Sequence, residues 1–202
     1  MRTAILLFDG FDEVDAFVTL GLLNRLKAQG WKAEIASPSA QVTSMNGTTV
    51  VAQQPLEFAN EASAVVFPSC LYARAIAQNS ALLDRLQLDP LRQRIGAIGS
   101  GALLLARLGL LADLPACTDA ATKPWLVQAG VRVEDAPFLA RGPIATAGGS
   151  LAAPYVAAWL TIHGAGLNAA TRLLQGAAPV GAQADYVERL VGVVRPFLEA
   201  PD

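Results

Sequence analysis

The chain has 202 residues, of which 53% are hydrophobic and 16% charged, and a net charge of −2; its mean hydropathy is +0.39. That length suits one domain with a large buried core, read here as residues 1–202. The charge offers no basic stripe for nucleic acid, and no apolar run nears the ~20 residues of a membrane helix, because Arg107 and Asp113 interrupt the longest candidate.

In chain order, Thr3–Phe8 reads as a strand, Glu13–Gln29 as an amphipathic helix, and Lys32–Ser37 and Ser63–Phe67 as two further strands. Met45-Asn46-Gly47 lies between Val42 and Val50, which predicts a small hairpin around an Asn-Gly turn. Leu82–Arg94 reads as helix, Ile95–Ile98 as strand and Ala102–Leu111 as helix. A helix over Lys123–Ala129 follows, then strands near Val131–Val133 and Pro143–Thr146, and closing helices over about 151–163, 167–175 and 183–199. Short apolar strands alternating with helices predict an α/β, doubly wound fold. Its sheet is mostly parallel, with helices on both faces in a three-layer, flavodoxin-like sandwich.

Such sheets bind ligands at the carboxyl ends of their strands. The loops expected there are Phe8–Asp15, Phe67–Tyr72, Gly99–Gly101 and Ala147–Ser150, and their polar residues are the functional candidates. Asp12 can cap the first helix, and Asp15 is open to two readings. It is either the N3 acid of a capping box, worth ~1 kcal/mol or less, or a general acid or base aimed into the crevice. Gly99-Ser100-Gly101 turns a strand sharply into a helix, the geometry that exposes nucleophiles in α/β enzymes. The esterase pattern G-x-S-x-G nevertheless fails around Ser100, because Ile98 and Ala102 hold the glycine positions. Ser100 then reads as an N-cap. Cys70 ends a strand and can line the crevice, or be inert and buried like Cys117. Asp119 either caps the helix at Lys123 or faces the pocket. Gly148-Gly149-Ser150 is a weak candidate for an anion cradle, and His163 sits near a helix C-terminus. Cys70, Cys117 and His163 are too dispersed for a zinc site. Nothing in the sequence asks for a metal or cofactor.

Taken in order, 8-FDGFDEVD-15, 44-SMNG-47, 68-PSC-70, 98-IGSGALLLARLGLL-111, 116-ACTD-119 and 146-TAGG-149 resemble the ThiJ/PfpI superfamily. That superfamily is related in fold to class I glutamine amidotransferases, and the isocyanide hydratase-like subgroup is the nearest match. The resemblance puts Asp15 at the family acid and Gly99 at the nucleophilic cysteine, because Gly101 and the GLL ending fix the register. It puts Ser100 one residue after the nucleophile, Asp119 at a family histidine, and Cys70 at the second glycine of a Pro-Gly-Gly loop.

Since glycine has no side chain to attack with, the resemblance implies a family member without thiol chemistry that binds or senses a small molecule. The alternatives are a hydratase or hydrolase using Asp15 with water, or with Ser100 or Cys70 as replacement nucleophile, and a structural subunit. Related domains also occur fused to DNA-binding helices, but no nucleic-acid or membrane partner is expected here. The resemblance implies a homodimer. The opening MRTAILLFDG is too briefly apolar for a signal peptide, so a cytoplasmic location is expected.

Overall fold

Apolar residues that alternate between two helical layers require a sheet covered on both faces, and the chain builds one. In the computed structural model, which describes residues 1–198, the strands are β1 (Arg2–Leu6), β2 (Lys32–Ser37), β3 (Gln41–Thr43), β4 (Thr49–Val51), β5 (Gln54–Pro55), β6 (Ala64–Phe67), β7 (Arg94–Ile98), β8 (Phe138–Arg141) and β9 (Ile144–Ala147). The helices are α1 (Glu13–Asn24), α2 (Ala73–Gln78), α3 (Ser80–Leu83), α4 (Gly101–Arg107), α5 (Lys123–Gln128), α6 (Ala153–Ala165), α7 (Leu167–Ala177) and α8 (Gln183–Val194). The last residue of the helix expected over 183–199 lies outside the described residues.

Seven strands form one sheet in the order β5-β2-β1-β6-β7-β9-β8. Every neighbouring pair is parallel except β8 and β9, which run antiparallel. Successive residues of a strand serve opposite layers. Ile5 and Leu7 pack with Leu23 of α1, Trp159 of α6, Leu173 of α7 and Val187 of α8. Ala4, Leu6 and Phe67 pack on the other side with Ala73 of α2, Leu83 of α3, Leu104 of α4 and Leu126 of α5. The doubly wound, flavodoxin-like α/β sandwich is therefore formed. From β1 the chain crosses to β2 on one side, and later returns to β6 on the other. That reversal leaves a crevice at the carboxyl ends of β1, β6 and β7.

The hairpin is where the Asn-Gly turn predicts it: β3 pairs antiparallel with β4, with Val42 opposite Val50. Its turn is fastened to α1 by Glu13, which accepts hydrogen bonds from Ser44 Oγ and, at 2.9 Å, from Asn46 Nδ2.

Three expectations are corrected. The helix over Leu82–Arg94 ends at Leu83: Asn60 takes the Arg85 carbonyl at 2.9 Å and the Gln87 N–H at 2.8 Å, and Pro90, which lacks an N–H, disfavours resuming the helix. Instead, Asp89 Oδ1 accepts from Leu91 N at 2.9 Å, and the buried Gln93 Nε2 donates to Ala59 O and Ala62 O at 2.7 Å. Near Val131–Val133 there is only one isolated bridge, Val133 to Ala116. The helix expected over Ala102–Leu111 stops at Arg107, and Gly109 turns the chain away with φ +74°.

Candidate functional site

The loops after β1 and β6 and the β3–β4 hairpin are stitched together by backbone bonds. Gly10 N donates to Thr43 O (2.7 Å), Leu71 N to Gly10 O (2.8 Å), Asp12 N to Ser69 O (2.9 Å) and Met45 N to Phe11 O (2.9 Å). The β6 loop is thus pinned to the first loop, and the hairpin to both. They enclose a crevice of about 240 Å³ lined by residues that include Asp12, Ser69, Cys70, Ser100, Asp119 and Gly149.

Gly99 is the apex, with φ +49°, a conformation that L side chains adopt only under strain. Its N–H donates to Ala147 O at 2.9 Å, and its carbonyl accepts from Thr118 Oγ1 at 2.8 Å. A Cβ built on Gly99 would collide with Ser69 Oγ and lie 3.2 Å from Asp119 Oδ2. Gly101 is demanded by packing, because a Cβ there would strike the Phe67 carbonyl at the end of β6.

Asp12 is the N-cap of α1 and accepts from Val14 N at 2.8 Å. The capping-box reading of Asp15 is not realised: Asp12 N is taken by Ser69 O, and Asp15 turns inward. Asp15 is fully buried, and its Oδ2 accepts from Ser69 N at 2.9 Å. Its Oδ1 has no hydrogen-bond partner among the described residues. Burial pushes the carboxyl up to about 7, opposed by hydrogen bonding from the Ser69 side chain and N–H and reinforced by the nearby Asp12 charge. The N–H bond is the one of good geometry; the Ser69 hydroxyl donates to Ile98 O at 3.2 Å. Asp15 lies beneath the crevice rather than in its wall, with Ser69 standing between.

Ser100 heads α4 without capping it through its side chain. Its Oγ instead accepts from Cys70 N at 2.8 Å and donates to Cys70 O at 3.0 Å. The Cys70 thiol donates to Asp9 O at 3.1 Å, and burial raises it to about 11. At neutral pH it is therefore a thiol and a poor nucleophile. Cys117, also raised to about 11 by burial, bonds to Thr146 behind the sheet.

Asp119 lines the crevice and accepts from Thr122 N (2.8 Å) and Thr122 Oγ1 (2.7 Å) in the turn that leads into α5, whose N-cap is Thr122 itself. Ser150 donates to Asp12 Oδ2 at 2.6 Å, so the Gly149 turn closes one end of the crevice. His163 lies in the last turn of α6, remote from the apex. Among the described residues, no lysine, arginine or histidine lines the crevice and no cluster of metal-ligating side chains forms.

Ser69 is the residue that sequence reasoning missed. A serine in a Pro-Ser-Cys triplet carries no periodicity, and its closeness to the apex arises only when β6 and β7 pair. The sole sequence signal was that 68-PSC-70 stands where the resembled loop has Pro-Gly-Gly.

Comparison with known proteins identifies the fold and the family. The DJ-1/PfpI family model matches residues 1–160. A cysteine-to-alanine mutant of the DJ-1 superfamily protein STM1931 from Salmonella typhimurium is 25% identical, with a TM-score of 0.72 over 85% of this chain and 94% of that one. Oxidized Toxoplasma gondii DJ-1 superposes with a TM-score of 0.73 at 19% identity, covering 87% of this chain and 97% of its own. A THiJ/PfpI family protein from Pseudomonas syringae gives 0.77 at 18% identity, covering 98% and 88%. No curated protein sequence is similar enough to match. With the family model spanning most of its length, the chain belongs to the DJ-1/PfpI family.

Proposed function

We propose that this chain is a DJ-1/PfpI protein without elbow-thiol chemistry, and that it binds or senses a small, uncharged or cationic molecule in the crevice above Gly99. The observation that carries this reading is the apex itself. Gly99 keeps the positive φ of a catalytic elbow, while Ser69 Oγ fills the space a side chain there would take. The isocyanide hydratase-like resemblance accounts for the order of the motifs, but its thiol step has no sulfur at the apex.

The ligand class follows from charge. Asp12 and Asp119 line the crevice and accept hydrogen bonds from neutral groups: Val14 N, Ser150 Oγ, Thr122 N and Thr122 Oγ1. Neither forms an ion pair among the described residues, and the nearby Arg74 guanidinium lies against the Trp125 ring rather than on either carboxylate; a crevice lined by carboxylates concentrates positive charge. Trp125, Met45 and Leu71 add apolar wall for the body of a small ligand. A replacement nucleophile at Ser100 or Cys70 is disfavoured, because the first is held at both hydrogen-bonding positions and the second keeps its proton.

Ligand-observed NMR with benzylammonium, benzyl alcohol and benzoate tests this. The first two should bind, and Trp125→Ala should weaken them; benzoate binding equally well would end the reading. The chain should also pair with a second copy through the face carrying Phe17 and Leu151, which are 36% and 84% exposed and border a concavity of about 510 Å³. Light scattering of Leu151→Glu checks that pairing.

A further inference from the structure

The hydroxyl nearest the apex belongs to Ser69, on the loop facing it. Ser69 is half-buried and lines the crevice. Its N–H is fixed to Asp15 Oδ2 at 2.9 Å, and its Oγ reaches Ile98 O at 3.2 Å. The Oγ occupies the place a Cβ on Gly99 would need. Beneath it Asp15 is fully buried, and its second oxygen has no partner among the described residues. A buried carboxyl oxygen with nothing to accept from is ready to take a proton. The hydroxyl on the residue already bonded to that carboxyl is that of Ser69.

We propose that Ser69 and Asp15 form a hydroxyl–carboxylate dyad that takes up the acyl group of a small, activated, uncharged or cationic ester held in the crevice. Ser69 Oγ attacks the ester carbonyl, and an Oγ–C bond forms. The bond from that carbon to the leaving alcohol breaks, and the alcohol's oxygen departs with the electron pair. The hydroxyl proton passes to the Asp15 carboxylate. Asp15 passes that proton to the departing alcohol oxygen, and water then cleaves the acyl–Ser69 bond, its OH completing the carboxylic acid that leaves and its hydrogen restoring the Ser69 hydroxyl. With its proton affinity raised to about 7, Asp15 is a competent base in the neutral range. The loop supplies little help to the oxyanion, since Cys70 N is already bonded to Ser100 Oγ. A missing oxyanion donor typically costs roughly 10²–10³ in rate. Slow uptake of one acyl group, rather than rapid turnover, is the expected behaviour.

The dyad rests on the crevice reading above, and the test separates the two. Purified protein is incubated with p-nitrophenyl acetate while p-nitrophenolate release is followed, and the acetylated residue is located by peptide mass mapping. Acetylation of Ser69 should occur, rise between about pH 6 and 8 as Asp15 ionises, and disappear in Ser69→Ala. Asp15→Asn should slow it by about tenfold or more and flatten the pH profile. An unmodified Ser69, or one acetylated as fast in Asp15→Asn, overturns the dyad. Should Ser69→Ala not fold, Ser69→Cys decides the same question: its new thiol should be alkylated faster than Cys70, and lose that advantage with Asp15→Asn. Benzylammonium binding that persists while Ser69 stays unmodified sinks the dyad alone; loss of both sinks the crevice reading too.

Discussion

Two carboxyl groups flank the apex, and they are built in opposite ways. Asp119, on the β7–α5 side, is saturated: Thr122 donates to both of its oxygens. Asp15, on the β1–α1 side, is fully buried, bonded to Ser69 through Oδ2 and left without a partner at Oδ1 among the described residues. A capping aspartate repays its burial by completing a helix start. A carboxyl held in apolar surroundings with one oxygen unmatched weakens the fold at neutral pH, and such groups collect where chemistry or binding is done. In the function proposed above, the β1–β6 side is the working side of the crevice and the β7–α5 side its frame.

The largest effect expected from this contrast is a pH-dependent stability carried by Asp15. Folded, it keeps its proton up to about pH 7, against an ordinary value of 3.8. The folded chain binds more protons between those values, so the contribution is whole below about pH 4 and is lost as pH rises through about 7. Asp15→Asn removes this dependence. Measured by urea unfolding, its stability relative to wild type should rise by up to about 4 kcal/mol between pH 4 and 8. A difference that stays flat with pH would mean Asp15 is ionised in the fold.

Next in size is the apex. Gly99→Cys must displace the Ser69 hydroxyl, whereas Gly99→Cys with Ser69→Gly has room for its thiol. Iodoacetamide labelling should be about tenfold faster in the double variant. Equal rates would show that Ser69 yields freely.

On the frame side, Asp119→Ala should cost only about 1 kcal/mol, the usual value of a lost side-chain hydrogen bond at a helix start. A loss of several kcal/mol would make Asp119 more than a frame residue and end the comparison. The smallest effect belongs to Cys70: its thiol, raised to about 11, should label at a negligible rate near neutral pH. Rapid modification would reveal a second reactive group across the crevice.

Much of the scaffold was legible because it depends on local pattern. Lys32–Ser37 is read with its limits unchanged, and the Asn46-Gly47 turn forces the hairpin. The crevice loops also follow, since sheet topology puts them at the strand ends. Less legible was whatever depended on one residue's tertiary partner. The periodicity of Leu82–Arg94 looks helical, yet Asn60 and the buried Gln93 hold that segment in another path, Gln93 on the Ala59 and Ala62 carbonyls. β8 (Phe138–Arg141) went unread because a short edge strand beside a Gly142 turn has little alternation to show. Asp15 was found but left between two roles, and its inward turn to Ser69 N, which excludes the capping box, depends on a partner remote in sequence. Ser69 was invisible for the same reason, since its neighbours are remote in sequence.

The close approach of Gly101 to the Phe67 carbonyl has a consequence for redesign. Residue 101 leaves no room for a Cβ, so it is here that the start of α4 is locked against the end of β6. The sharpness of the bend is therefore held two positions away from the apex. A side chain introduced at residue 99 meets a bend that is already set, so an engineer can vary the apex without rebuilding the turn, provided residue 101 stays glycine.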